Sequence, residues 1–348
     1  MCKLPNTPDL NECVNQHWKM NEYDKQMAQE LGAYLPPLPR RIFDIHAHVY
    51  NLTHLNLADE SGYLYEGPQE ASIQAWREHV GGLFTDRLLR GGMFFPTPAP
   101  LMDMRSANEY IVNQLANETS CRGLVMITPD DEPERIRTYL DCPQIAGFKP
   151  YPIFSKEKPV MQSSISGFCP DWMWEIANER KYVVMLHLVK DKAVADPDNI
   201  REIREICTKY PDMKLILAHT ARCFHAFHAE PGISALRGLD NVYFDTSAVC
   251  EPEAMKVVLR YFGPSKLMWG SDFPDSHIRG KSVTVGDGFV WLMAPEFCSW
   301  DKAQMAHPVL LGLESLRAVI HAADDCGLNA EELDDIFYGN AEKLLGIG

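Results

Sequence analysis

No stretch of the 348-residue chain holds the roughly 18 consecutive apolar residues that a membrane-spanning helix needs, so no span is expected. The first 40 residues lack the apolar core of a secretory signal and the Arg/Ser bias of a transit peptide, which makes the cytoplasm the expected location. Cysteine occurs ten times, but no two copies form a Cys-x-x-Cys pair. Scattered thiols in a chain of this length read as reduced and partly buried rather than as a disulfide framework. Positive charge is scarce: 33 Lys and Arg face 48 Asp and Glu, for a net charge of −15. That excludes a general nucleic-acid or anionic-membrane surface, because phosphate binding wants clustered Lys and Arg. Gly280-Lys281-Ser282 ends like a phosphate-binding loop, yet Asp275 stands where its first glycine is needed. With 46% hydrophobic and 23% charged residues the chain is not disordered either.

What is present is a repeated alternation. Residues 1–40 read as an N-terminal extension, with a helical texture from Asn11 to Leu31 that Pro36-Pro37-Leu38-Pro39 stops. From residue 41 to 348, short apolar runs alternate with longer helical stretches. The runs are Ile42–His46, Gly92–Phe95, Gly123–Ile127, Ala146–Lys149, Tyr182–His187, Lys214–His219, Asn241–Asp245 and Leu267–Asp272. Runs rich in Val, Ile, Phe and Tyr read as strands buried on both faces. Their starts lie about 32 residues apart on average, the length of one βα unit. Helices are expected at Asp171–Glu179, Asn199–Thr208, Pro252–Tyr261 and Leu313–Asp324. Eight strands in alternation with helices predict an α/β fold, a (β/α)8 TIM barrel with an N-terminal helical extension. An open doubly wound sheet is the alternative, weakened because no glycine-rich fingerprint follows the first strand. Two insertions, about Tyr50 to Gly67 and from Pro274 onward, follow strands and so fall at the end of the barrel where catalytic sites lie. The second holds a Trp- and Met-bearing stretch near 289–300.

Polar residues concentrate at those strand ends. His46 and His48 close the first strand, Lys149 the fourth, His187 the fifth, His219 the sixth and Asp272 the eighth. Residues i and i+2 of a strand share a face, so Asp44, His46 and His48 are expected to point one way and Ile45 and Ala47 the other. Two imidazoles on one strand can reach one cation. A lone His-x-His is weak evidence, but further ligand types at other strand ends make the pattern that of a metal site. His219 reads equally as a core histidine, a substrate contact or a ligand. Asp272 precedes Phe273-Pro274 and reads as ligand or base. Lys149 has three readings: contact to an anionic substrate, partner of an internal carboxylate, or a carboxylated bridge between two metals. His225 and His228, without an acidic or Cys companion, read as surface residues on one helical face.

These residues resemble the amidohydrolase superfamily, in its amidohydrolase-related branch of metal-dependent TIM-barrel hydrolases and decarboxylases. The likeness rests on Phe43-Asp44-Ile45-His46-Ala47-His48, Gly147–Pro152, Met185-Leu186-His187, Leu217-Ala218-His219, Trp269–Pro274 and the tail Ile336–Gly346, and runs from about 41 to 346. The resemblance implies that His46, His48, His187 and Asp272 hold one divalent metal, with His219 beside it. Three nitrogens and a carboxylate oxygen suit zinc, with manganese as the alternative. It implies that a bound water loses its proton near neutral pH, that Asp272 takes that proton to the leaving group, and that His219 polarises or protonates the substrate oxygen. Asp44 becomes a second-sphere partner. Since the branch mostly uses one metal, Lys149 is expected as an unmodified substrate contact, with Tyr151 beside it.

The expected activity is hydrolysis of a carboxyl-derived bond, amide or lactone, in a small anionic compound. Non-oxidative decarboxylation of an aromatic or unsaturated acid is the alternative. A barrel that binds a ligand without turnover is a third reading. A net charge of −15 repels anions at long range, so a carboxylate-bearing substrate needs local cations: the metal, Lys149 and Arg222, with Arg105 a weaker candidate. No nucleic-acid or membrane partner is expected, and a homo-oligomer is compatible with the sequence, which does not set the copy number.

Overall fold

The eight apolar runs form strands that pair in parallel and in chain order. The computed structural model describes residues 17–34, 41–58, 62–85, 87–294 and 307–347. The strands are β1 (Arg41–His48), β2 (Leu88–Phe95), β3 (Arg122–Ile127), β4 (Ile145–Pro150), β5 (Val183–Leu186), β6 (Lys214–Leu217), β7 (Val242–Asp245) and β8 (Leu267–Met268). The ring is drawn together between β1 and the segment after β8, where Ala47 bridges Phe273 and the Ile45 N–H donates to Trp269 O at 3.1 Å. This is a (β/α)8 barrel, as the spacing predicts.

Two hydrophobic layers hold it. One fills the barrel interior with Phe43, Ile45, Met93, Phe95, Met185, Ile216 and Met268. The other lies between strands and helices, where Ile42, Phe94, Phe148, Leu217 and Phe244 meet Trp76, Ile111, Ile203 and Val258. The helices include α1 (Glu22–Tyr34), α2 (Ile73–Gly81), α3 (Met104–Leu115), α4 (Asp171–Arg180), α5 (Pro197–Lys209), α6 (Ala226–Ala235), α7 (Pro252–Phe262) and α8 (Leu311–Asp325). Their starts follow local chemistry: Ser72, Asp103 and Asp196 each cap a first turn through a side-chain oxygen.

Three differences from the sequence reading have physical causes. Among the described residues the N-terminal helix begins at Glu22, after a non-helical 17–21, because Asn21 and Asp24 exchange side-chain-to-backbone hydrogen bonds at 2.7 and 3.0 Å and set the start there. Residues 11–16 and Pro36–Pro39 lie outside the described residues. The helix is clamped by Asp24, which pairs with the buried Arg279 through two contacts of 2.8 and 3.1 Å and accepts from the Leu310 N–H. Strict alternation also fails in β1. Asp44 pairs with Gly92 but Ala47 with Phe94, so β1 carries one extra residue there. The bulge leaves Ile45 in the barrel interior and turns Asp44 to Trp76 of α2 and to Ser271. Finally, the stretch after β8 opens as an antiparallel hairpin, β9 (Gly280–Val285) with β10 (Gly288–Met293), while 295–300 lies outside the described residues. No helix among the described residues is long and apolar enough to cross a membrane.

Candidate metal centre and its surroundings

At the carboxyl ends of the strands, His46, His48 and Asp272 bring ligand atoms within 4.8 Å of one another, all buried. The second partner of each ring sets its tautomer. His48 Nδ1 lies 2.9 Å from Pro96 O, and His187 Nδ1 lies 2.9 Å from Leu188 O. A carbonyl only accepts, so each Nδ1 carries the proton and each Nε2 a lone pair. Burial reinforces this by lowering His48 to about 4 and holding His187 well below its ordinary value.

His46 is the most informative ring. Its Nδ1 stands 2.9 Å from Asp245 Oδ2 and so donates. Its Nε2 then aims a lone pair at Asp272 Oδ1, 3.1 Å away, and makes no hydrogen bond. His48 Nε2 lies 3.6 Å from that same oxygen. Three acceptors facing one another in a dry interior repel unless a cation lies among them. The donor set therefore fits a divalent metal. Asp272 reaches the position through a left-handed backbone (φ 57°), with its N–H on His46 O at 2.8 Å. Burial alone would raise its carboxyl, but the adjacent His219 and His46 hold it well below the usual carboxylate range.

Asp245 is a site residue that sequence reading missed, although it ends β7 as the other candidates end their strands. Its Oδ2 faces His46, while its Oδ1 accepts from the His219 N–H at 2.9 Å, the Ser247 N–H at 3.1 Å and the Ser247 hydroxyl at 2.5 Å. Against the cost of burial, His46, His219 and Ser247 bring its carboxyl down to about 2. Asp44 does not fill that role: it accepts from the His46 backbone N–H at 3.1 Å and from Trp76 and Ser271, and burial pushes it up to about 6.

His219 opens a run of four left-handed residues, His219, Thr220, Ala221 and Arg222, with φ between 51° and 60°. None is glycine, so the turn stores roughly 1–2 kcal/mol per residue, repaid by the bonds that Asp245 makes to it. Its Nδ1 lies 3.0 Å from Ser247 O and 3.7 Å from Asp272 Oδ2. His187 joins neither that trio nor a second one, His46, His219 and Asp245, whose ligand atoms also lie within 4.8 Å of one another; its ring stands 5.0 Å from that of His219 and 5.2 Å from Tyr151.

Lys149 is fully buried and its Nζ has no hydrogen-bond partner. It lies 4.7 Å over Phe95 and 5.6 Å from the Tyr151 ring centre. Burial lowers it to about 8, against the pull of Asp245 and Asp272. Arg222 donates to Lys190 O at 2.9 Å and faces the Tyr151 side. Arg105 is exposed and pairs with Glu109 at 2.8 Å. His225 is buried, not a surface residue: it precedes α6 and caps it by accepting from the Phe227 N–H at 3.2 Å. Near Asp272, the Tyr63 hydroxyl donates to Asp275, whose carboxyl is raised to about 7 by burial and by the Asp272 charge.

Residues 43–347 match the amidohydrolase family. Among curated proteins the chain is 27% identical over 177 residues to the L-fucono-1,5-lactonase of Burkholderia ambifaria, covering 45% of this chain. The match spans 58% of that relative's length. Among solved structures it is similar to an amidohydrolase from Burkholderia multivorans with bound zinc, at 14% identity and a TM-score of 0.55 over 88% of this chain and 99% of that one. It is also similar to 5-carboxyvanillate decarboxylase LigW from Sphingomonas paucimobilis, at 13% identity and a TM-score of 0.54 over 89% of this chain and 100% of that one. At those identities the structures speak for the fold alone. With the family matched over most of its length, the chain belongs to the amidohydrolases.

Proposed function

We propose that this chain is a metal-dependent hydrolase of a carboxyl-derived bond, amide or lactone, in a small compound that bears a carboxylate. The observation that carries the reading is the buried convergence of His46 Nε2, His48 Nε2 and Asp272 Oδ1, with His46 Nε2 making no hydrogen bond. We assign one ion to it, held by His46, His48, His187 and Asp272. Three nitrogens and one carboxylate favour zinc, with manganese second. When bound, the ion supplies Lewis-acid polarisation of a carbonyl and a lowered pKa for water.

The remaining work falls to side chains. Asp272, held ionised, takes a proton at its carboxylate and returns it to the leaving group. His219 Nδ1 donates to Ser247 O, and burial holds its pKa below the ordinary value against the pull of the Asp272 and Asp245 charges, so donation to a substrate oxygen needs a second proton at Nε2. Lys149, an ammonium with no partner, binds the substrate carboxylate, with Tyr151 beside it and Arg222 at the outer edge. We read 41–348 as the catalytic barrel and 1–40 as its extension, and we place the protein in the cytoplasm, where the seven free cysteines among the described residues suit a reducing medium.

A second reading has its own observation. Phe224 stacks 5.8 Å from His219 and meets Phe289 and Trp291 of β10 at 4.5 and 5.1 Å. That aromatic wall favours a flat ring, and hence non-oxidative decarboxylation of an aromatic or unsaturated acid. The experiment is metal analysis of purified protein followed by product analysis on lactones and aromatic acids. A metal-dependent opening of a lactone supports hydrolysis; metal-dependent carbon dioxide release supports the second reading. A protein that takes up no metal refutes both.

A further inference from the structure

The opposite end of the barrel holds a cavity of about 230 Å³ between the starts of β2 and β3 and the chain's last turns. It is lined by Phe43, Arg90, Thr119, Ser120, Arg122 and Tyr338, with Gly346 and Ile347. No carboxylate is among these residues, in a chain with 15 more acids than bases.

The backbone builds this cleft. Ile42 pairs with Leu89 but Phe43 with Gly91, so Arg90 is an extra residue that faces no partner on β1. Such a bulge at a barrel rim re-aims its side chain. Gly91 lets the 119–120 turn come close, since a Cβ there would collide with the Ser120 carbonyl. Thr119 and Ser120 thereby line the same cavity as Arg90. Arg122 spends one nitrogen on the Thr119 and Cys121 carbonyls, at 3.0 and 2.8 Å, and keeps the rest of its fork. The neighbouring cation Arg41 is already committed, to Asp334 at 3.2 Å, to Glu342 at 3.8 Å and over the Tyr338 ring at 4.1 Å. Among the described residues neither Arg90 nor Arg122 has a carboxylate within 4.0 Å.

We propose that this cleft is a binding site for a small dianion, a phosphate group or a pair of carboxylates, separate from the catalytic mouth. The guanidinium of Arg90 and the free part of the Arg122 fork match the in-plane acceptor geometry of such oxyanions. The cavity has the size of a small metabolite. Phe43 lines it and also belongs to the barrel-interior cluster beneath His46, so an occupant would rest on the same strand that carries the metal ligands.

Calorimetric titration of the metal-loaded protein with inorganic phosphate, and separately with malonate, tests this at constant ionic strength. Arg90 is exposed, so Arg90→Gln leaves the fold intact. One anion should bind per chain, and Arg90→Gln or Arg122→Gln should weaken it by about tenfold or more, the loss expected for a charged hydrogen bond. Arg222→Gln, at the mouth, should leave that affinity unchanged. Binding of phosphate alone would identify a phosphate site, and of malonate alone a dicarboxylate site. If Arg222→Gln abolishes the binding while Arg90→Gln keeps it, or if neither probe binds at millimolar concentration, the proposal is overturned.

Discussion

Replacing Asp245 by Asn tests the metal centre without touching a ligand. The new amide has one oxygen and one NH2 group, and its surroundings decide which goes where. The Oδ1 position receives three donors, from the His219 N–H, the Ser247 N–H and the Ser247 hydroxyl, at 2.9, 3.1 and 2.5 Å. Only the amide oxygen can satisfy them, so the NH2 must take the Oδ2 position, 2.9 Å from His46 Nδ1. Two donors cannot face each other there, and His46 must move its proton to Nε2, the atom that faces Asp272. The lone pair that would hold the metal is then gone. Loss of such an outer partner costs about 10–100-fold in metal affinity, or roughly 1.4–2.7 kcal/mol. Zinc affinity is measured by competition with a chromophoric chelator, and the fold by circular dichroism. A weakened affinity with an unchanged spectrum is expected. If Asp245→Asn binds zinc as tightly as the parent, the tautomer argument is wrong. The Asp245→Glu variant separates charge from position: it keeps the carboxylate but displaces it, so partial recovery is expected.

Three further outcomes follow from the same geometry. The double variant His46→Ala/His48→Ala should lose metal and activity together; full metal occupancy by elemental analysis would break the ligand assignment. Lys149 stays protonated below about 8, so KM for a carboxylate substrate should rise as pH passes through that value, while Lys149→Met should raise KM below that pH, abolish its rise through it and leave a metal ratio of one per chain. A ratio near two that depends on bicarbonate would instead make Lys149 a bridge. Asp24→Ala breaks a fully buried pair with Arg279, which should destabilise the protein by about 3–5 kcal/mol in urea unfolding; a loss under about 1 kcal/mol would mean the clamp behaves like an exposed pair.

The architecture was legible because a parallel barrel writes itself locally. Each strand is a short apolar run, and α5 and α8 fall within two residues of the stretches read from sequence, Pro197–Lys209 against Asn199–Thr208 and Leu311–Asp325 against Leu313–Asp324. The Asp196-Pro197 pair, a cap followed by a first-turn proline, even marks the true start of α5. What failed needed partners distant in sequence. Period-two alternation in β1 puts Asp44 with the histidines, but β1 must pair with β2 on one side and meet Ala47 to Phe273 on the other. The extra residue that reconciles those registers cannot be seen from β1 alone.

The site divides the same way. His46, His48, Lys149, His187, His219 and Asp272 stand out in the sequence because an ionisable residue ending an apolar run has no reason to be there unless it meets something. Asp245 satisfies that rule too, but Asp is also one of the residues that turns favour, so its place at a strand end has an ordinary reading. The left-handed turn from His219 to Arg222 had no signal at all, since Thr, Ala and Arg each disfavour positive φ. Its cause lies in Asp245, which accepts the His219 N–H through its side chain and the Thr220 hydroxyl through its carbonyl. One carboxylate thus fixes both the His46 tautomer and the backbone that aims His219. Propensity therefore misleads most where a single buried charge sets the geometry, and Asp245→Asn, whose amide oxygen keeps the His219 N–H, should weaken the metal while leaving this turn in place.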